Sequence, residues 1–369
     1  MAKAGILSMQ RILNYGSFLQ AYALKRILEQ SGWEVEFVDY HPGECLVKSS
    51  EKRGMKRQIQ KVMQILCYKA SLKDKILFIQ YKKSYAGQYF PLLGVEKNSR
   101  NYSPKLDLLV IGSDEVFNCV QNNANVGYSR ELFGYGHNAA KAVSYAASFG
   151  NTTLDKIEQY GITDMLANDL KHLDGISVRD QNSQDIINVL IKKKPPIHPD
   201  PVLLYDWKRD IPDARPLNEK YLVVYGYSGR FSTDECKSIK DFAAKYQLKI
   251  VCIGGIQNIK DTFINCSPFE VLAYFANAEY VVTDTFHGTI LSVVMHRRFA
   301  AFVRSQGYGN AEKLGGLLAM LGLEQRKVLL PEELEERLCN DIEYPQIDAR
   351  LVEWQNAAME YLKEVTTIS

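Results

Sequence analysis

Between Val281 and His296 the chain reads VVTDTFHGTILSVVMH, an apolar run interrupted by Thr283, Asp284, Thr285, Phe286, His287 and Gly288. An imidazole with a glycine after it and a carboxylate three residues before it stands where a strand should pass into a helix. The apolar spacing predicts a strand ending near Thr283 and a helix beginning near Gly288 or Thr289. His287 then lies at a helix N-terminus, where backbone N–H groups favour an anion and disfavour an imidazolium. A bound phosphate reverses that balance, so a resting histidine would become a general acid when an anionic substrate arrives. The plain alternative is a cap by Asp284 or Thr285 with a passively packed histidine, and this stretch alone leaves the two even.

Other polar residues stand at the ends of apolar runs. Arg179 closes GISVRD, where it could clamp a carboxylate or phosphate through two parallel hydrogen bonds, or equally form an ion pair with Asp180 or Asp200. Arg304 closes RFAAFVR in the same way, with Lys313 shortly after it, whereas Arg297 and Arg298 read as ordinary helix-end charges. In LVIGSDEVFN, Ser113 and Asp114 follow a buried run. Asp114 there suits a base or a sugar-hydroxyl acceptor, or else a helix N-cap. Asn14 and Gly16 open the first helical stretch, and a single glycine is not a dinucleotide fingerprint. The histidines at 41, 137, 172, 198 and 296 have no metal-ligand spacing.

The elements that must position these groups alternate. AGILSM and WEVEFVDY read as strands around the helix NYGSFLQAYALKRILEQSG, and LDLLVIGSDE, KAVSYAASFG and DGISVRD as further strands. A second series begins near Lys220: YLVVYGYSG, LKIVCIGGI, AEYVVTDT and RFAAFVR are strand-like, separated by helical patterns, with a final amphipathic helix from Ala349. Such alternation predicts an α/β fold of two Rossmann-like domains, residues 1–215 and 216–369, in a glycosyltransferase-B-like arrangement. The site is expected in the interdomain cleft, beyond the carboxyl ends of the strands.

A length of 369 residues exceeds one ordinary core, and 46% hydrophobic with 24% charged residues describes a globular chain. With no membrane-length apolar run and no leader pattern, the expectation is a cytoplasmic protein. Seven scattered cysteines without a C-x-x-C pair point to free thiols rather than disulfides or zinc. The net charge of +2 gives no pull toward nucleic acid, but it hides an asymmetry: residues 48–83 carry +9 and the remainder −7. That segment lies in a basic helical insertion expected over about 46–100, in which Ile59, Val62, Met63, Ile65 and Leu66 recur at helical spacing. It is read either as a solvated helix with one buried face or as a surface for anionic lipid.

Taken in order, NYGSFLQAYAL, LLVIGSDEVFN, VSYAASFG, ISVRD, DPVLL and VVTDTFHGTILSVVMHRRFAAF resemble the polysaccharide pyruvyltransferase family over roughly residues 5–305. The resemblance implies an enzyme that moves the enolpyruvyl unit of phosphoenolpyruvate onto sugar hydroxyls as a ketal, on a cell-surface saccharide often attached to a lipid carrier. By the same resemblance His287 is the general acid, and Asp114 orients or deprotonates the acceptor. Donor contacts fall to Arg179, Thr285, Gly288, Arg304 and Lys313, and acceptor contacts to Asn14, Gly16 and Ser113. No cofactor is implied; accessory magnesium would suit substrates this anionic but is not called for. One departure stands out: Thr285 occupies the position where some members have an arginine, so a phosphate contact must come from elsewhere or be absent. Two other readings follow the same architecture: a nucleotide-sugar glycosyltransferase, for which Glu270 could bind ribose, and a saccharide-binding protein without activity.

Overall fold

The computed structural model describes residues 2–47, 63, 65, 67–304 and 311–367. The first sheet is parallel in the order β2-β1-β3-β4, from β1 (Lys3–Leu7), β2 (Glu34–Phe37), β3 (Leu106–Asp114) and β4 (Ala139–Ala147). The second, also parallel, runs β6-β5-β7-β8-β9, from β5 (Tyr221–Tyr225), β6 (Lys249–Ile253), β7 (Tyr280–Thr283), β8 (Arg298–Phe302) and β9 (Lys327–Val328). The expected strand in GISVRD is reduced to isolated bridges, Ala147 to Val178 and Val178 to Ile197, along the β4 edge. Prolines at 195, 196, 199 and 201 deny this edge a regular ladder. Both sheets lie within the glycosyltransferase-B-like arrangement of two Rossmann-like domains.

Helix α1 (Tyr15–Gln30) follows β1 and is capped by Asn14, whose Oδ1 accepts the Ser17 N–H at 2.7 Å. Helix α2 (Leu72–Leu93) is no peripheral insertion. Its inward face, Phe78, Tyr81, Tyr85 and Tyr89, is buried in one hydrophobic cluster shared by α1, β5, β6 and the Phe263–Cys266 segment. Aromatic residues recur on that face at spacings of three, four and four, so the side chains form a continuous row between the two domains. Asp74, also buried, accepts the Thr262 and Phe263 N–H groups at 3.3 and 3.1 Å, and the Tyr15 and Tyr89 hydroxyls both donate to the Cys266 carbonyl. Gly94 ends the helix with φ 79, a left-handed conformation that favours glycine. The predicted helical face at Ile59, Val62 and Leu66 lies outside the described residues. Ile65, within them, packs against the same cluster.

The second domain contributes α3 (Thr233–Lys245), α4 (Pro268–Ala276), α5 (Phe286–Val294) and α6 (Ala311–Leu321). Helix α7 (Tyr344–Thr366) then returns to the first domain. At its start the Tyr344 hydroxyl donates to the Arg297 carbonyl, and further along Gln355 and Tyr361 donate to the carbonyls of Leu203 and Ser144. Residues 216–369 therefore do not all pack as one unit. Among the described residues no helix is long and apolar enough to cross a membrane.

Candidate active site

The cleft between the domains encloses about 1030 Å³. Strand β7 ends at Thr283, as its apolar pattern predicts, but α5 begins earlier than expected, at Phe286. The reason is the cap. Thr285 is extended, and its Oγ1 accepts the Gly288 N–H at 2.9 Å, which lets Phe286 and His287 form the first turn. The Gly288 N–H is thereby engaged, and a side chain at Gly288 would collide with Thr283. The N–H groups of Phe286 and His287, at the first two positions of the helix, have no intrahelical acceptor and can serve an anion.

His287 is held from two sides. Its Nε2 is buried and lies 3.5 Å from Asp200 Oδ2, and its other face rests on Gly16, where an added Cβ would come within 2.4 Å of Nδ1. Gly16 is thus required for a close approach of α1 to the imidazole and not for a phosphate turn. Asp200 is fully buried and accepts from the Val202 N–H, the Ser113 hydroxyl and the Arg179 guanidinium. Burial pushes its carboxyl up, but His287, Arg179 and the Val202 N–H together outweigh burial and hold it down near 2. Nε2 thus faces a carboxylate without a hydrogen bond to it among the described residues, while Nδ1 lies against the backbone of Gly16.

Arg179 lies one layer below this surface. Its guanidinium bonds Asp200 at 3.0 Å, stands 3.5 Å from Asp114, and is covered by the Phe286 ring at 4.4 Å. The ion pair with Asp200 therefore accounts for its burial, and its NH2 has no partner among the described residues. Asp114 is likewise inside, accepting from the Ser17 hydroxyl, and Ser113 has no exposed surface, its hydroxyl spanning Gln20 and Asp200. Of the residues singled out by sequence, Asn14, Gly16, Thr285, His287, Arg304 and Lys313 line the cleft, whereas Ser113, Asp114, Arg179 and Gly288 do not.

Four cations line the cleft: Lys156 donates to the Asn151 carbonyl at 2.7 Å, and the other three each come with a carboxylate. Lys313 crosses from α6 to Glu115 of the first domain at 2.6 Å, and its ammonium also lies 5.0 Å from the centre of the Phe286 ring. That lysine, first among several contacts, holds the Glu115 carboxyl down near 2 against its desolvation. Arg230 and Arg304 both bond Asp284, and Arg304 adds a forked pair with Glu235. Burial still raises the Asp284 carboxyl above its usual value, against the pull of the two arginines. An anionic ligand entering here meets four cationic side chains and two N–H groups, and competes with carboxylates for three of the cations.

Sequence reasoning missed Arg230, Glu115, Phe286 and, as more than an ion-pair partner, Asp200. Arg230 follows YGYSG at the end of β5, the same strand-end signal that drew attention to Arg304. A wall of carboxamides, Asn118, Gln121, Asn122, Asn151 and Gln159, with Tyr160 beside them, closes the first-domain side. These come from two separate stretches, 118–122 and 151–160, the second including the short helix Leu154–Gln159, and form no motif. Glu270, suggested for a ribose, is instead engaged in a reciprocal cap with Ser267 at the start of α4. Among the described residues no group of three His, Cys, Asp or Glu is placed to hold a metal ion.

A family model described as polysaccharide pyruvyl transferase matches residues 14–306. No curated protein matches the chain. Among solved structures, a UDP-N-acetylglucosamine 2-epimerase is similar with TM-score 0.52 at 10% identity, over 99% of this chain and 95% of that one. The S. aureus MnaA–UDP co-structure gives 0.50 at 12%, over 98% and 94%. At these identities the likeness concerns the fold.

Proposed function

The chain belongs to the polysaccharide pyruvyl transferase family, and on that footing we propose that it transfers the enolpyruvyl unit of phosphoenolpyruvate to two hydroxyls of a saccharide in cell-surface polysaccharide biosynthesis. The observation that supports this most directly is that an imidazole beside Asp200, the open end of α5 and the cations Arg230, Arg304 and Lys313 line one cleft. Once protonated, His287 gives a proton to the methylene carbon of phosphoenolpyruvate, and the central carbon becomes electrophilic. A saccharide hydroxyl adds to that carbon and loses its proton. A second hydroxyl of the same sugar then displaces phosphate from it, leaving a cyclic ketal and inorganic phosphate.

Donor contacts in this reading come from Lys313, Arg304 and Arg230, with the Phe286 and His287 N–H groups. Arg230 supplies the charge that Thr285 lacks, since it bonds Asp284, the residue before Thr285, from a different strand end. Arg179 holds Asp200 and Asp114 in place beneath Phe286. The carboxamide wall with Asn14 takes the saccharide, whose hydroxyls suit amide donors and acceptors.

Thermal unfolding with phosphoenolpyruvate tests the donor. Ligand at about 100 times its Kd should stabilise the folded chain by about 2.7 kcal/mol. The gain should shrink in Lys313→Met and Arg230→Met. A response to UDP with none to phosphoenolpyruvate, in the presence of candidate acceptors, would replace this reading with a nucleotide-sugar transferase.

A further inference from the structure

Among the described residues, Lys156 is the one cation of the cleft that stands on its first-domain wall. The short helix Leu154–Gln159 and its C-cap place it there. Positions 156, 159 and 160 share one face, and Lys156, Gln159 and Tyr160 accordingly all line the cleft. Asp155 and Glu158, one and two positions from Lys156, do not share that face. The Lys156 ammonium donates to the Asn151 carbonyl, a neutral partner, and forms no ion pair among the described residues. Of the cleft carboxylates, Glu115 bonds Lys313 and Asp284 bonds Arg230 and Arg304, while Glu312 stands on α6 in the second domain.

The amides around Lys156 divide into fixed and open ones. Asn118 is fully engaged: its Nδ2 donates to Glu115 and to Asn151 Oδ1 at 2.9 and 3.0 Å, and its Oδ1 accepts from the Thr152 hydroxyl and the Val120 N–H. It ties the two stretches of the wall to each other. The side-chain amides of Gln121, Asn122 and Gln159 make no hydrogen bond among the described residues, and all three line the cleft. The wall thus combines a braced frame, three open neutral amides and one ammonium.

We infer that the acceptor saccharide carries an anionic group, a carboxylate or a phosphate, and that Lys156 selects for it. This rests on the reading of the wall as the acceptor's side of the cleft. Open amides pair with hydroxyls of any sugar, so they supply affinity for a saccharide without regard to its charge. Lys156 adds what a neutral sugar cannot use. An anion that reaches Arg230, Arg304 or Lys313 competes with a carboxylate already in place, whereas at Lys156 it displaces at most a neutral carbonyl. An ammonium is a compact charge with three donors and no planar fork, so it accepts a carboxylate or a phosphate equally well.

NMR titration with methyl glucoside, glucose 1-phosphate and glucuronate, and with their galactose counterparts, tests the proposal. No phosphoenolpyruvate is present, so the outcome is separate from that of the thermal test of the donor. In at least one series an anionic sugar should bind the wild-type chain about fivefold more tightly than the neutral glycoside, the upper end for one partly exposed ion pair. The preference should shrink with salt, vanish in Lys156→Gln, and persist in Lys156→Arg and in Lys313→Met. Preference for the 1-phosphate alone would make the acceptor a glycosyl phosphate, and preference for the uronate alone a uronic acid. The proposal is overturned if no sugar of either series binds, if neutral and anionic sugars bind alike, or if Lys156→Gln keeps the preference. It is overturned equally if Lys156→Gln weakens neutral and anionic sugars to the same degree, which would make Lys156 only a tie on the Asn151 carbonyl. Loss of the preference in Lys313→Met would also overturn it, by assigning the anion to the donor's cations.

Discussion

The boundary between the two domains has two sides built on opposite principles. On the α2 side it is a dry seam of rings: Tyr15 and Tyr81 lie 5.3 Å apart, Tyr81 and Tyr85 5.4 Å, and Phe78 meets Phe263 edge to face at 5.5 Å. On the cleft side it is spanned by ions, with Lys313 on Glu115 and the imidazole of His287 against Asp200. Burial of large apolar area stabilises without regard to direction, so the seam fixes how the domains sit. Paired charges partly exposed to water contribute little net stability but have definite geometry, and a substrate can exchange for one partner. The seam holds the domains together on one side, and on the other the partly exposed Lys313–Glu115 pair can be exchanged at small cost.

The comparison can be broken hardest at Arg179. Arg179→Met strands the buried carboxylates of Asp200 and Asp114 and should cost about 3–5 kcal/mol in urea unfolding, because removing one partner of a buried set leaves uncompensated charge. On the opposite side Phe78→Ala should cost about 3 kcal/mol, as for a large ring deleted from a packed core. A Phe78 variant as stable as wild type would mean that the seam is not what holds the domains. Gly16→Ala separates position from stability. Its Cβ must displace His287, and a shift of about 1 Å in a catalytic group lowers turnover about a hundredfold, while the rest of the fold keeps its contacts. Unchanged turnover would remove His287 from the chemistry.

Acid and alkali should attack different sides. Asp200 and Glu115 are both held down near 2, so the stability they add is complete above about pH 4.5 and is lost as pH falls through 2. The Tyr89 hydroxyl, pushed up to about 12 chiefly by burial, acts in reverse: what the seam gains from a neutral phenol holds below pH 10 and is lost as pH rises through 12. Hydrogen exchange followed along the chain would then show the cleft loops opening first in acid and α2 first in alkali; simultaneous opening in both would merge the two sides into one unit. The smallest effect belongs to Glu115→Gln. It cuts a partly exposed pair and should change stability by about 1 kcal/mol or less.

How much of this was legible in the sequence depended on how far each feature is from local. The strand ends at Thr283 and Asp114 and the start of α1 after Asn14 follow from apolar period and capping chemistry within a few residues. The placing of His287, Arg304 and Lys313 on the cleft followed from the rule that sites lie beyond strand ends. Arg179 obeys the same rule yet is covered, because Phe286, a residue more than a hundred positions away, closes over it. Helix α2 lies within the expected basic insertion, but nothing local reveals that its buried face is shared by two domains. Asp200 was visible only as a partner for Arg179, since its contact with His287 spans the domain boundary.

Helix α7 sets an order on the birth of the fold. The Tyr361 hydroxyl meets the Ser144 carbonyl 217 positions earlier, so the first domain emerges from the ribosome long before the helix that covers part of it has been made. Until then Tyr145 and His198, whose rings stack near Tyr361, lack that cover, and the imidazole that burial later holds down near 4 lies closer to water. The first domain is thus finished by the second half of the chain, and a nascent chain stalled before Tyr344 would leave a sticky patch for chaperones to shield.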